Sequence, residues 1–171
     1  MSEPIIRLTY ASKATFKTAQ QGGIESEVAR ILLQSRRNNP KHAIGGVLHV
    51  ADGHFFQCLE GPRAEVNATY NRIAADPRHQ GLQILSMEPV TERMFSNWSM
   101  KYSAAEKTSE ALLKRYDMSR FNAYQFSPGM IKEFLQACVT SRDPLAEIGQ
   151  PQAAQSGHNA TPWWKRIWRW G

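Results

Sequence analysis

The sequence has 171 residues, of which 42% are hydrophobic and 21% are charged. This is the composition of a soluble globular protein, long enough for one domain with accessory segments. The apolar runs are too short to span a bilayer, and the first residues lack the pattern of a signal peptide. The chain also contains no zinc-ligand spacing, P-loop or dinucleotide-binding glycine motif, so these classes of site are excluded.

The net charge of +6 suggests an acidic partner, but its distribution argues against nucleic acid. Residues 163–171 contain three basic residues and no acidic one, and the rest of the excess charge is dispersed along the chain. Dispersed charge is typical of a solvated surface. The two cysteines, Cys58 and Cys138, are far apart in sequence, which favours a reduced, cytoplasmic setting.

Hydrophobic periodicity divides the chain into strands and helices. Pro40 ends the first helix, and Asp52-Gly53 is a strong hairpin signal between the second and third strands. The order β-α-β-β-α-β-β predicts an α+β ferredoxin-like sandwich with a mostly antiparallel sheet. Two helices are expected on one sheet face and the C-terminal helices on the other. The predicted strands are 5–11, 44–50, 54–61, 82–87 and one within 94–104, and the predicted helices are 24–37, 63–75, 109–116 and 128–142.

The third predicted strand, residues 54–61, carries an unusual residue for a protein core. Side chains alternate between faces along a strand, so Phe55, Gln57 and Leu59 share one face. Apolar residues on both faces predict a central strand that is covered on both sides. Leaving a buried carboxamide unpaired costs about 1–3 kcal/mol. Gln57 is therefore either a core residue bonded to backbone or a residue that faces a polar ligand.

Composition divides the chain into four parts. Residues 1–105 form the predicted core, and residues 106–143 form a C-terminal helical segment. Residues 144–162 are rich in Pro, Gln, Ala, Ser and Gly, which predicts a disordered linker. Residues 163–171 contain four Trp and three cations, a pattern that favours peripheral contact with anionic lipid or an acidic protein surface. A tail without a function is the alternative.

Polar and aromatic residues at special positions of these elements resemble those of BLUF domains, the blue-light sensors that use flavin. Order and spacing both agree over residues 5–105, and the resemblance is looser to about residue 142. It does not extend to the tail. The matching segments are Tyr10, Ser35-Arg-Arg-Asn-Asn-Pro40, Gly46-Val-Leu48, Phe55-Phe-Gln-Cys-Leu-Glu-Gly61, Val66-Asn-Ala-Thr-Tyr-Asn-Arg-Ile73, Asp76-Pro-Arg-His79 and Phe95-Ser-Asn-Trp-Ser-Met100.

The resemblance implies a non-covalent flavin, usually FAD, held between the first two helices on the sheet face that bears Tyr10. Gln57 would reach both the flavin edge and the Tyr10 hydroxyl. Gly45 departs from the family, which often has a small hydroxyl residue there. The implied photoactive residues are Tyr10, Gln57, Trp98 and Met100, the last two exchanging places or contacts on the predicted fifth strand. The implied cofactor contacts are Ile31, Asn38, Asn39, Gln57, Arg72, Arg78 and His79, with Arg72, Arg78 and His79 at the ribityl and phosphate end.

These residue types suit a reversible switch. A carboxamide can satisfy either a donor or an acceptor by turning over, and a nearby tyrosine can donate an electron and a proton. A small local change of this kind is amplified when the packing around it has two stable arrangements. Taken singly, each of the residues also has an ordinary explanation as core packing, a helix end or a surface charge.

The implied function is sensing without catalysis, with output from residues 106–143 to a separate signalling protein or through self-association as a homo-oligomer. A flavin-dependent enzyme is one alternative, but the sequence shows no substrate acid–base pair and no nicotinamide fingerprint. A ferredoxin-like nucleic-acid-binding module is another. Against it, the chain lacks the basic, glycine and aromatic pattern that an RNA-recognition sheet exposes.

Overall fold

The computed structural model describes residues 4–16, 26–103 and 105–147, with the backbone alone described for 105–108. The predicted tail at 163–171 and most of the predicted linker lie outside the described residues. Within the described residues, every helix is too short or too polar to cross a membrane.

The observed elements follow the predicted order, with additional short 3-10 turns at Asn39–His42 and Ala123–Gln125. β4 is longer than predicted because it pairs with β1 along its length, from Ile6 opposite Pro89 to Ala14 opposite His79. The strands are β1 Ile5–Ala14, β2 Gly45–Ala51, β3 His54–Pro62, β4 His79–Pro89 and β5 Lys101–Ser103, and the helices are α1 Ser26–Asn38, α2 Arg63–Ala74, α3 Ala105–Arg115 and α4 Pro128–Thr140.

Local sequence signals explain where several of these elements begin and end. Asp52 and Gly53 both have positive φ, 48° and 75°, as the tight turn of the β2–β3 hairpin requires. The hydroxyl of Ser127 accepts a hydrogen bond from the Met130 N–H at 3.3 Å, which caps the N-terminus of α4. Pro128 occupies the first turn of that helix, where its missing N–H is harmless.

The five strands form one sheet in the order β4-β1-β3-β2-β5. β5 pairs with β2 in parallel, and the other neighbouring strands are antiparallel. This topology confirms the predicted ferredoxin-like α+β sandwich. β3 is central and its residues from Phe55 to Gly61 are all buried, as a strand covered on both faces should be.

The two faces of the sheet carry separate hydrophobic cores. The first core lies under α1 and α2, and the second lies under α3 and α4. Tyr10, Phe55 and Met100 belong to the first core, whereas Phe56 and Phe134 belong to the second. The prediction of two helices on one face and the C-terminal helices on the other is therefore confirmed.

The fifth strand lies within the predicted range of 94–104, but the prediction that Trp98 and Met100 belong to it is wrong. Residues 94–97 form a turn, and β5 begins only at Lys101, so Trp98 and Met100 precede the strand instead of lying on it. The buried carboxylate of Glu60 fixes this turn by accepting the backbone N–H groups of Met94 and Phe95 at 3.1 and 2.9 Å. A backbone held in a turn at these residues cannot continue an extended strand.

The first four residues of the predicted linker belong to the described part of the chain and are ordered against the domain. Residues 144–147 form a turn, and Leu145 packs against the first core. The N–H of Leu145 donates to the carboxylate of Asp143 at 2.9 Å. Leu145 is the first large apolar residue of a mostly small and polar stretch, and its packing anchors the turn.

His49 of β2 is a buried titratable residue in the second core. Its ring lies 4.8 Å from the ring of Phe121 and 4.9 Å from that of Phe134. Nδ1 is 3.0 Å from the Ser103 carbonyl and therefore donates, while Nε2 has no partner among the described residues. Burial lowers the pKa of His49 to about 4, because protonation would place a charge among aromatic rings.

We expect His49 to make stability depend on pH. Its pKa is below the unfolded value of about 6.5, so stability is complete above that pH and is lost as the pH falls through about 4. The loss should approach roughly 3 kcal/mol for this residue. His49→Asn keeps a donor for Ser103 without a titrating ring, and urea unfolding should show a shallower decline between pH 6.5 and 4. The control Leu112→Ala, in the same core, should lower stability equally at each pH; an unaltered decline in His49→Asn would contradict the assignment.

Candidate functional site

Tyr10 and Gln57 meet because of the strand register. They are directly opposite each other on β1 and β3, and side chains of such cross-strand pairs share a face. Both are buried, with Gln57 only 2% exposed. The Tyr10 hydroxyl donates a hydrogen bond to Oε1 of Gln57, and Nε2 of Gln57 donates to the sulfur of Met100 at 3.5 Å. The carboxamide is thus held between a hydroxyl and a thioether.

The Tyr10 hydroxyl is a neutral donor. Burial raises its pKa well above the usual value, with smaller contributions from Tyr70 and Asp76. The Tyr70 ring lies edge-on, 5.4 Å from the Tyr10 ring. Tyr10 therefore keeps its proton at neutral pH, and the proton is directed at Gln57.

A cleft of about 120 Å³ lies between α1 and α2, with β3 as its floor. All of the cofactor contacts implied by the family resemblance line it. Tyr10 and Met100 lie behind Gln57 instead of on the cleft wall. The lining residues are Ile31, Gln34, Ser35, Asn38, Asn39, Gln57, Leu59, Thr69, Arg72, Ile73, Asp76, Arg78 and His79.

The positive charge expected from Arg78 and His79 is largely cancelled within the cleft. Arg78 donates to the Asp76 carboxylate, with Nε 2.9 Å from Oδ1, and these hydrogen bonds hold the pKa of Asp76 below its usual value. Burial lowers the pKa of His79 to about 4, so its ring is neutral at pH 7. Nδ1 of His79 is 2.9 Å from the Ser12 hydroxyl.

Arg72 lies on the exposed side of the cleft wall. Its guanidinium donates to the hydroxyl of Thr69 at 2.8 Å. Because no carboxylate pairs with it among the described ion pairs, its charge faces the cleft with less compensation than that of Arg78. Arg72 is consequently the better placed of the two arginines to attract a phosphate group.

The residues just before β5, 98–100, are held by side chains from the C-terminal end of α1 and from the 3-10 turn that follows it. Nδ2 of Asn39 donates to the Ser99 carbonyl at 2.7 Å, and Nε of Arg36 donates to the Met100 carbonyl at 2.8 Å. The sequence analysis missed Arg36. Its position could have been found from the α1 period, because Val28, Leu32 and Arg36 follow one another at intervals of four on the buried face.

Glu60 is the second residue that sequence analysis missed. It is fully buried and forms an ion pair with Arg7, with Nε 2.7 Å from Oε1, in addition to its bonds to the 94–97 turn. Strand alternation places Glu60 on the same face as Phe56 and Cys58. A carboxylate on an apolar strand face must have partners, and this is the signal that could have revealed its role.

Trp98 lies on the opposite side of the sheet from Met100. Trp98 is half-buried against the second core, whereas Met100 belongs to the first. The prediction that the two residues share a face is therefore wrong. The ammonium group of Lys101 lies 4.3 Å from the Trp98 ring and donates to the Val139 carbonyl at 2.7 Å. Lys101 thereby connects Trp98 to the last turn of α4.

Comparison with known proteins identifies the family. The BLUF family, "Sensors of blue-light using FAD", matches residues 5–101. This match covers more than half of the chain, and the chain therefore belongs to the BLUF family. It is a flavin-binding sensor domain for blue light.

Relatives and solved structures agree with this membership. The photoactivated adenylate cyclase subunit beta of Euglena longa is 26% identical over 152 residues, which are 86% of this chain and 17% of that protein. BlsA in its ground state superposes with a TM-score of 0.75 at 28% identity, covering 86% of this chain and 95% of BlsA. BlrB, a BLUF protein in the dark state, gives a TM-score of 0.64 at 30% identity, covering 81% and 98%. The chain thus spans about a sixth of the cyclase subunit's length and nearly all of the two solved sensors.

The residues of the cleft fit a flavin. Amide groups of Asn38, Asn39 and Gln57 can pair with the donors and acceptors of its polar edge. Ile31 and Ile73 offer apolar contact to a ring system. The arginines supply donors for phosphate.

Gly45 departs from the family pattern for a steric reason. A Cβ at this position would lie 2.6 Å from the Phe95 carbonyl oxygen and 2.9 Å from that of Trp98. Glu60 holds the Phe95 backbone, and the Trp98 carbonyl accepts the Gly46 N–H at 3.3 Å, so neither oxygen can move aside easily. Glycine is required here because the backbone of residues 95–98 crosses close above β2.

We expect the family-like substitution Gly45→Ser to destabilise the protein by about 1–3 kcal/mol, since the new side chain overlaps a fixed backbone. The matched control is Gly129→Ser in α4, where the nearest atom to an added Cβ is 3.9 Å away. Chemical denaturation should place the midpoint of Gly45→Ser well below that of the wild type and leave that of Gly129→Ser nearly unchanged. Equal midpoints for the two variants would contradict the steric explanation.

Proposed function

We propose that this chain senses blue light through FAD bound in the α1–α2 cleft, and that illumination rearranges the hydrogen bonds of the Gln57 side chain. The observation that carries the proposal is the position of Gln57. Its carboxamide lines the cleft while bonding to Tyr10 on one side and to Met100 on the other. Bound flavin supplies the absorption of blue light and, once excited, a site that accepts an electron.

Each residue of the cleft has a role in this proposal. Asn38, Asn39 and Gln57 hold the polar edge of the flavin, and Ile31 packs against its ring. Arg72 faces the phosphate end, supported by its exposure and by its lack of a carboxylate partner among the described ion pairs. Arg78 and His79 line that end of the cleft but add little net positive charge to it. Arg78 is paired with Asp76, and His79 is neutral at pH 7.

Rotation of the Gln57 carboxamide would exchange its oxygen and nitrogen. Nε2 would then face the Tyr10 oxygen, which can accept a hydrogen bond. Oε1 would face the sulfur of Met100, which has no proton to donate. Reversal therefore keeps the Tyr10 contact in opposite polarity and removes the Met100 contact. In this proposal Met100 is thus the residue that transmits the effect of the Gln57 rearrangement from the cleft to the rest of the chain.

The proposed output segment is residues 106–143. Support comes from Lys101, which joins Trp98 to α4 across the second core. A separate signalling protein is the proposed partner. Self-association is the second output route, and catalysis by this chain is not part of the proposal. Cys58 and Cys138 are both free and buried, which supports a cytoplasmic location.

The switch can be tested by two substitutions. In the wild type, blue light should shift the flavin absorption band reversibly to the red without lasting bleaching. Gln57→Leu should keep flavin and lose the shift, because leucine has no hydrogen bonds to rearrange. Tyr10→Phe should also lose it, since the hydroxyl that bonds Gln57 is removed. Absorption spectra before, during and after illumination measure both effects.

The matched control is Gln83→Leu, which makes the same chemical change at an exposed position of β4. It should retain the full shift. An unchanged photocycle in Gln57→Leu or Tyr10→Phe would contradict the proposed switch. Chromatography of the extracted cofactor, after expression with ample riboflavin, should give FAD; FMN would correct the identity of the flavin, and no flavin would refute the proposal.

The tail at 163–171 is proposed to contact anionic membrane lipid at the periphery. Its Trp residues favour an interface, and Lys165, Arg166 and Arg169 favour negative charge. The full chain should bind vesicles containing phosphatidylserine, and binding should weaken as salt increases. A variant with these three cations changed to Gln, and a chain ending at residue 150, should bind less. Equal binding by the chain ending at residue 150 would exclude the tail as the membrane contact.

A further inference from the structure

Arg36 is fully buried, which is rare for an arginine and requires compensating partners. Its guanidinium donates hydrogen bonds to groups that are distant from it in sequence. Nε donates to the Met100 carbonyl at 2.8 Å, Nη2 donates to the Asp143 carboxylate at 2.6 Å, and Nη1 donates to the Leu145 carbonyl. Burial lowers the pKa of Arg36 and Asp143 opposes this shift, so the group remains charged.

Asp143 completes the arrangement by binding two backbone groups. Oδ2, the oxygen that pairs with Arg36, also accepts the Tyr102 N–H at 3.0 Å. Oδ1 accepts the Leu145 N–H at 2.9 Å. Leu145 then packs against the first core, the same core that contains Met100. We call Arg36, Asp143 and Leu145 the clasp.

The clasp occupies the open edge of the sheet. β5 has only three residues, and within the described residues β2 is its sole strand neighbour, so no described strand pairs with the opposite side of β5. Arg36 and Asp143 satisfy the Met100 carbonyl and the Tyr102 N–H on that side. The two side chains thus bond backbone groups that a neighbouring strand would otherwise bond. The stability of this edge therefore depends on their hydrogen bonds.

Met100 is common to the clasp and to the proposed switch. Its sulfur receives the N–H of Gln57, and its carbonyl receives the N–H of Arg36. Any displacement of the Met100 backbone that follows loss of the Gln57 contact must lengthen or redirect the bond to Arg36. Because a buried guanidinium cannot leave one partner without disturbing the others, the change reaches Asp143 and Leu145.

We infer that Arg36 is a positioning residue of the light response, which holds Met100 against Gln57 and couples that contact to the docking of residues 141–147. Loosening of the Gln57–Met100 contact in the light releases the clasp, and with it the docking of residues 141–147. This inference rests on the proposed rearrangement of Gln57.

Amide hydrogen exchange measured by NMR on the full chain tests the inference at single residues. The reporters are the N–H groups of Tyr102 and Leu145, both bonded to Asp143. In the wild type, their exchange should accelerate by at least about tenfold under continuous blue light. The internal reference is the N–H of Phe95, which donates to Glu60 and not to the clasp, and whose exchange should stay constant.

The variant Asp143→Asn removes the negative charge of the clasp at nearly constant size and keeps an oxygen that can accept from Arg36. In this variant the N–H groups of Tyr102 and Leu145 should exchange rapidly already in the dark, and light should not accelerate their exchange further. The recovery of the flavin band in the dark should be slower than in the wild type. Arg36→Ala would leave a buried carboxylate unpaired and risks unfolding, so it is not the primary test. The control Arg37→Lys changes the exposed neighbour of Arg36 and should behave as the wild type.

Two results would overturn the inference, and they are distinguishable. A wild-type chain that shows the red shift but equal exchange at Tyr102 and Leu145 in dark and light would refute the clasp while leaving the proposed switch intact. A wild-type chain that binds flavin but shows no red shift would refute the proposed function and the inference together.

Discussion

The buried carboxamide of Gln57 is the interaction on which the rest of the site depends. An amide in a protein core must satisfy its donors and its acceptor, and here Tyr10 and Met100 do so from opposite sides. The two partners differ in kind, since a hydroxyl can donate or accept and a thioether can only accept weakly. Turning the amide over is therefore nearly neutral for Tyr10 and unfavourable for Met100. This asymmetry gives a symmetrical-looking side chain two distinguishable states.

The end of α1 and the turn after it hold the segment that carries Met100, one of the two partners of Gln57. Asn39 belongs to the wall of the cleft and also holds the Ser99 carbonyl, and Arg36 holds the next carbonyl along the chain. From there, contacts lead in two directions. Asp143 ties the C-terminal turn to β5, and Lys101 ties Trp98 to α4 on the other sheet face. A three-residue strand thus connects the flavin cleft with both C-terminal contacts.

Local signals in the sequence were sufficient for most of the fold and for the centre of the site. The positive φ values at Asp52 and Gly53 and the cap at Ser127 follow from single residues and their neighbours. Gln57 stood out because alternation alone made it a buried amide. The start of β5, the side occupied by Trp98 and the clasp were missed or wrong. Each depends on contacts between residues far apart in sequence, such as Arg36 and Asp143, which are 107 positions apart, and no local pattern encodes such pairs.

The most direct test of the central claim is the nuclear Overhauser effect between the side-chain amide protons of Gln57 and the methyl group of Met100. The Gln57 signals can be assigned by their loss in Gln57→Leu. We expect the effect to be present in the dark, because Nε2 faces the sulfur. In the light it should disappear, and a new effect to the Tyr10 ring should replace it. Persistence of the Met100 effect while the flavin band is shifted to the red would contradict the account.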